Sequence, residues 1–262
     1  MGQKSKNDTI DAVGLARMGL EQLLPLWQPL SKSIYSLRLL TRQHQRLQEL
    51  KTQCLNQKHA LEHSPIKDLL ITKQLEKLSG IYDQQMQALL QAINELIQKD
   101  TLLQCRVEKL VAIKGLGLLS IATLIAETNG FEGFDNQRQL VSYAGYDVVE
   151  NQSGKRVGKT RISKKGNSHI RRILHLPAFN AVRYGEPACQ SLFERVYGRS
   201  GIKMKGYVAV QKKLLLLVYT LWKSEAAYDP MYSTQQQNVS KKVVPTSRTT
   251  QDEGTVALFS HG

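Results

Sequence analysis

From Ser31 to Glu62 the chain has neither glycine nor proline, and Ile34, Leu37, Leu40 or Thr41, His44, Leu47, Cys54 or Leu55, and Leu61 trace one stripe through polar surroundings. That spacing predicts a long amphipathic helix. His63-Ser64-Pro65 interrupts it. A second long stretch follows, with Ile66, Leu69 or Leu70, Lys73, Leu78, Tyr82, Met86, Leu89 or Leu90, Ile93, and Leu96 or Ile97 as inward positions. Two Gln- and Lys-rich helices joined by a tight break predict an antiparallel coiled-coil hairpin over residues 31–99, its modest seam suited to completion by another subunit. Upstream, Asn7 or Asp8 caps a short helix with Ile10, Val13, and Leu15 or Met18 facing inward, and Pro25, Trp27 and Pro29 end it in a connector.

After the hairpin the pattern stays helical. Asp100 or Thr101 caps a helix through Leu103, Val107, Leu110 and Val111, and the turn Lys114-Gly115-Leu116-Gly117 leads into Leu118, Ile121, Ala122, Leu124 and Ile125 at helical spacing. Helix, Gly-hydrophobe-Gly turn, helix is the layout of a helix-hairpin-helix, whose glycines let backbone N–H groups approach a phosphate. An ordinary helical corner with a glycine C-cap has the same layout. Asn136 to Gly145 predicts a short helix. Asp147 to Glu150 predicts a strand paired with Arg156 to Ile162 through an Asn151-Gln152-Ser153-Gly154 turn. Ile170 to Val182 predicts a core helix, Cys189 to Tyr197 a further helix, and Tyr207 to Ala227 a strong one. From Asp229 the composition turns to Gln, Ser, Thr and Lys and predicts a disordered tail over 229–262. The fold class expected is mainly α, with one small basic β-hairpin.

Charge changes this picture. The chain of 262 residues carries a formal charge of +14, a surplus that suits a nucleic-acid backbone and disfavours a cationic partner. Between Lys155 and Arg172 lie Lys155, Arg156, Lys159, Arg161, Lys164, Lys165, Arg171 and Arg172, without an acidic residue. Gly154, Gly158 and Gly166 punctuate that stretch, so its backbone can lie close to a polyanion. The longest strongly apolar run, Leu214 to Trp222, is too short for a membrane span, and the polar N-terminus resembles no signal segment, which predicts a cytoplasmic, nucleoid-associated protein with no membrane partner. Cys54, Cys105 and Cys189 form no C-x-x-C pair and predict reduced thiols. His44, His59 and His63 lack acidic or cysteine partners at ligand spacing and are expected as surface or seam residues.

Two further features carry candidate chemistry. Asp8 and Asp11, three apart on one helix face, can share magnesium; as ordinary first-turn acids they cap the helix and complement its dipole. Ser163 brings a hydroxyl into the basic loop at the mouth of the following helix. On the residues alone it is the N-cap of that helix.

These strings together resemble one known family. Ile113-Lys114-Gly115-Leu116-Gly117, then Leu140-Val141-Ser142-Tyr143-Ala144-Gly145, Ser153-Gly154-Lys155, Arg161-Ile162-Ser163-Lys164-Lys165-Gly166-Asn167 and Ile170-Arg171-Arg172-Ile173-Leu174 are similar, in this order, to the C-terminal domain of the insertion-sequence transposases typed by members 110, 1111, 116 and 902. Lys6-Asn7-Asp8-Thr9-Ile10-Asp11-Ala12 resembles the end of that family's RuvC-like nuclease domain. The resemblance implies residues 1–30 as a RuvC-like remnant, 31–99 as a coiled-coil linker, and 100–228 as the serine-bearing transposase domain. It implies a DNA recombinase in which a serine attacks a phosphodiester, with Ser163 first and Ser153 second as nucleophile. Magnesium would be held by an acidic tetrad, of which Asp8 and Asp11 supply only two members, and some members of the family use a structured guide RNA. Lys114, Gly115, Gly117, Lys155, Arg156, Lys159, Arg161, Lys164, Lys165, Asn167, Arg171 and Arg172 are the expected DNA or phosphate contacts. The strands for the other two acids are missing, so the expectation is an N-terminally truncated transposase, weak or inactive alone. The competing expectation is a helix-hairpin-helix module that binds nucleic acid without chemistry. Where the family's turn opens with Pro-Gly, this chain has Lys114-Gly115.

Overall fold

A computed structural model describes residues 7–22, 29–66, 68–149 and 160–230, and the backbone of 152–153 and 156–157. The mainly α expectation holds. Helix α1 (Asp8–Glu21) is followed by α2 (Lys32–Glu62), α3 (Leu69–Gln98), α4 (Thr101–Val111), α5 (Leu118–Thr128) and α6 (Gln137–Tyr143). Four two-residue strands come next: β1 (Val148–Val149), β2 (Gln152–Ser153), β3 (Arg156–Val157) and β4 (Arg161–Ile162). Helices α7 (Ser168–Ile173), α8 (His175–Arg183), α9 (Pro187–Ser200) and α10 (Lys203–Ser224) complete the order. No helix among the described residues is long and apolar enough to cross a membrane.

Each early helix starts where a side chain can accept its orphan N–H groups. Asn7 accepts from the Ile10 amide, Ser31 from Ile34, Asp68 from Leu70 and Ile71, and Asp100 from Leu103. In α1 none of the residues is buried, and Val13, Leu15 and Met18 are 62 %, 70 % and 43 % exposed, so most of the expected inward face is open.

Helices α2 and α3 pack against each other along a strict three-four repeat. On α2 it runs Leu37, Leu40, His44, Leu47, Lys51, Cys54, Lys58, Leu61; on α3 it runs Thr72, Leu75, Ser79, Tyr82, Met86, Leu89, Ile93, Leu96. Every one of these is buried or half-buried. Lys51 pairs with Asp83 at 2.6 Å and Lys58 with Glu76 at 2.8 Å, so advancing along α2 retreats along α3 and the pair is antiparallel. The first half of the α3 stripe differs from expectation. Leu75 is buried, whereas Leu69, Leu70, Lys73 and Leu78 are exposed. The larger apolar side chains suggested one register; the seam instead holds its repeat through the small polar Thr72 and Ser79, while the Lys51 and Lys58 charges reach out to acids at the flank.

Helix α5 is the centre of the rest. Ser120 to Thr128 are all buried, so this helix is enclosed on every side and its few polar side chains need partners inside the protein. The Thr123 and Thr128 hydroxyls donate to the carbonyls of Leu119 and Leu124 at 2.7 and 2.6 Å, which leaves them no demand on water. Helices α2, α3, α4 and α7 pack around it. The core continues through Phe131, Tyr146, Leu174, Ala178 and the buried face of α10, including Leu214, Leu215 and Val218.

Three boundaries differ from the sequence reading. The expected helix from Ile170 to Val182 is two helices meeting at Leu174, because Pro177 has no N–H to give the carbonyl of Ile173. Helix α9 begins at Pro187, whose fixed φ suits a first turn, and continues through Gly198 to a left-handed Gly201. Helix α10 therefore starts at Lys203, ahead of the expected Tyr207, and ends at Ser224. In the β-hairpin Val148 pairs with Ile162 and Val149 with Arg161, while Gln152 pairs with Val157 and Ser153 with Arg156. The strands thus close nearer the tip than the expected turn at 151–154. The two ladders are offset by one residue in register. The tail beyond residue 230 and the connector at Pro25 and Trp27 lie outside the described residues.

Candidate nucleic-acid interface

The basic loop Ser163 to Asn167 is held in place by backbone contacts on both sides. The Ser163 amide donates to Asp147 O at 2.8 Å, Lys164 N to Gly145 O at 3.1 Å, and Asn167 N to Tyr143 O at 2.7 Å. Lys164 adopts φ 54° and Gly166 φ 145°. A Cβ on Gly166 would lie 2.3 Å from Tyr143 O, and one on Gly145 would lie 2.7 Å from the Arg171 guanidinium, so the loop and the end of α6 meet glycine to glycine.

Asn167 is the residue on which the loop turns. Its Oδ1 accepts from His169 N at 2.9 Å, capping α7, and its Nδ2 donates to Glu127 Oε2 at 2.8 Å. Ser163 is therefore not the cap of that helix. Glu127 is 2 % exposed and also receives Arg42 through Nε at 2.7 Å and Nη2 at 2.9 Å. Burial works to raise its carboxyl, but the hydrogen bonds from Arg42 and Asn167 outweigh burial and hold it below the usual carboxylate range. Tyr143 closes the group, its hydroxyl donating to Glu127 O at 3.1 Å.

Helix α2 reaches this network with one face. Arg38 donates to Ala126 O at 2.8 and 2.6 Å, Arg42 grips Glu127, Gln45 Oε1 lies 2.6 Å from His169 Nδ1, and Glu49 pairs with Arg172. Gln45 Nε2 donates to Glu49 at 3.0 Å, which turns its amide oxygen toward His169. The four positions advance by four, three and four residues, one side of a helix. Sequence reading missed this strip because its polar residues looked like a solvated face. A usable signal was Glu127, the single acid in the otherwise uncharged stretch Leu118–Thr128, which needs a partner once buried.

The expected site residues thus separate into groups. Arg161, Lys164 and Lys165 are exposed and make no ion pair among the described residues. Arg171 is half-buried and donates to Ala144 O at 2.9 Å, and Arg172 is paired with Glu49. Lys155 and Lys159 lie outside the described residues, as do the side chains of Ser153 and Arg156. Lys114 is exposed, and Gly117 is the open N-cap of α5. Gly115, at φ 94°, sits where a Cβ would be 2.6 Å from Ala181 N and 2.9 Å from Pro177 O, so its missing side chain admits the backbone of α8.

Ser163 is half-buried, and its Oγ is out of contact with solvent and without a hydrogen-bond partner. Asp8 and Asp11 are exposed in the first turn of α1. No group of three His, Cys, Asp or Glu among the described residues can hold a metal ion, so these two acids do not by themselves fit magnesium. The three cysteines are free, and burial pushes the Cys189 thiol up to about 12, which makes it inert.

Residues 107–194, which contain the whole loop and its supports from α5 to α9, match the family model described as transposase IS116/IS110/IS902 family. Over 233 residues the chain is 27 % identical to the pilin gene-inverting protein of Moraxella bovis, covering 87 % of this chain and 70 % of the relative. The pilin gene-inverting protein of Moraxella lacunata matches equally, at 27 % over 233 residues. An insertion element IS110 protein of 43.6 kDa from Streptomyces coelicolor is 21 % identical over 162 residues, 62 % of this chain and 38 % of that one. The loop, its glycine contacts and the Asn167 cap all lie inside the segment that matches the IS116/IS110/IS902 transposase family, and the Moraxella likeness runs through the α2–α3 hairpin as well.

Proposed function

We propose that this chain is the recombinase of an insertion element and grips DNA with Arg161, Lys164 and Lys165. The observation that carries the reading is that these three cations stand exposed, with no ion pair among the described residues, on the end of β4 and a loop whose backbone is already fixed. A pre-ordered loop loses little freedom when a phosphate arrives, so its charge is available for binding. Arg171 and Arg172 support the loop from behind, and Lys114 beside the open N-terminus of α5 is a second phosphate contact. The Moraxella relatives are named for inverting a gene, an operation of the same strand-exchange kind.

Ser163 is the nucleophile in this reading, with Ser153 as the alternative. A χ1 rotation or a small loop shift brings the Ser163 Oγ out to a phosphodiester, relieving an orphaned hydroxyl as it does so. Magnesium enters only with ligands beyond Asp8 and Asp11. A structured guide RNA meets the same cations as DNA does. The exposed apolar side chains Ile71, Leu78 and Ile81 on α3, which are 43 %, 41 % and 41 % exposed, are the surface for a second subunit along the hairpin.

The test is a salt titration of binding to a duplex. Replacing Arg161, Lys164 and Lys165 together by alanine is expected to lower the log–log salt slope by about 3, near one per lost phosphate contact. An unchanged slope refutes the interface. The buried Ser163 hydroxyl favours one second reading, a binding module without chemistry. A covalent protein–DNA adduct lost in Ser163→Ala supports the recombinase, and an adduct that persists removes Ser163 from the chemistry.

A further inference from the structure

We infer that Arg42, Glu127 and Asn167 are positioning residues for the Ser163 loop, and that the α2 hairpin sets the loop's geometry through them. The inference rests on the loop being the nucleic-acid site. Between Ser163 and Asn167 no side chain holds the loop: it contains two lysines side by side and a glycine at φ 145°. Its fixed points are the carbonyls of Tyr143, Gly145 and Asp147 and the Asn167 side chain, and Asn167 is anchored at 2.8 Å to a carboxylate that α2 neutralises. Arg42 is the counter-charge of that carboxylate, 85 residues back in the chain.

The outer rungs of the same α2 face work in the same direction. Gln45 holds His169, and Glu49 holds Arg172, in the first turns of the helix that follows the loop. A rotation or slide of α2 therefore moves Glu127, Asn167 and the start of α7 together, and the loop between Gly145 and α7 must follow. Contacts made far out on the hairpin are thereby linked to the placement of Lys164 and Lys165, and by reciprocity nucleic acid on the loop favours one seating of the hairpin.

Hydrogen exchange on the full chain, without nucleic acid, tests the coupling. In Arg42→Met the Lys164 and Asn167 amides are expected to exchange at least about tenfold faster, with the amides of α10 unchanged and with partial recovery in Arg42→Lys. The rim variant Gln45→Ala/Glu49→Ala, which leaves Arg42 and Glu127 in place, is expected to give the same effect in weaker form and serves if Arg42→Met does not fold. Unaltered loop amides overturn the inference, and so does a rise shared equally by α10, which would mark general destabilisation. Duplex binding then separates this idea from the function it rests on. The rim variant keeps the cations Arg161, Lys164 and Lys165, so its salt slope should match wild type within about one while affinity falls about threefold or more. Wild type failing to bind duplex or RNA sinks the functional reading and leaves the exchange result standing.

Discussion

Replacing Gly166 by alanine should separate the loop from its support without changing a single charge. The new Cβ would sit 2.3 Å from Tyr143 O and 2.9 Å from Gly145 N, both backbone atoms with no side-chain freedom to give way. Ordinary contact at a Cβ begins at 3.4 Å, so the two segments must part by roughly 1 Å. That opens the Asn167 N–H bond to the same Tyr143 carbonyl, now 2.7 Å. Losing one part-buried backbone hydrogen bond costs about 1–2 kcal/mol, and holding alanine at φ 145° costs about 1–3 kcal/mol more. The sum is about 3 kcal/mol, a large share of the roughly 5–15 kcal/mol that holds a domain together. Equilibrium urea unfolding reads it directly: with an m-value of about 2 kcal/mol/M the midpoint falls by about 1.5 M. Duplex affinity at fixed salt should fall as well, although no cation is lost. A midpoint within about 0.3 M of wild type would refute the glycine-to-glycine contact and with it the fixed loop.

Gly115→Ala should destabilise by about 2–4 kcal/mol in the same assay, since its Cβ meets the backbone of α8 at 2.6 Å and its φ is 94°, whereas Gly117→Ser, with nothing within 4 Å and an N-cap to fill, should be neutral or stabilising. Gly80→Ala on the open side of α3 should raise stability by about 0.5–1 kcal/mol, seen as a higher thermal midpoint. Burial lowers the pKa of His44 in the hairpin seam. The folded protein therefore binds less proton there than the unfolded chain, and stability present above about pH 6.5 is lost as pH falls through the lowered value. His44→Gln should remove that part of the slope, measured as unfolding free energy between pH 8 and pH 5.5.

What local chemistry decides could be read from the residues. Helix starts at Ser31 and Asp100, the break at Pro65, and the uncompensated charge between Lys155 and Arg172 depend on neighbours a few positions away. The ordered run of motifs also pointed to the transposase family whose model matches residues 107–194. Tertiary structure decided the rest, because the deciding partner is distant in sequence. Arg171 and Arg172 look identical in charge to Lys164 and Lys165, and only the seating of α6 and α2 assigns the first pair to support and leaves the second exposed. That Gly115 also admits the backbone of α8 shows only once Ala181 is set against it. The polar face of α2 reads as solvated until Glu127, buried in a helix with no other charge, demands Arg42. Hydrophobic spacing tells which side of a helix is apolar. It does not say what the polar side meets, because the desolvation of a charge becomes costly only once folding brings its surroundings together.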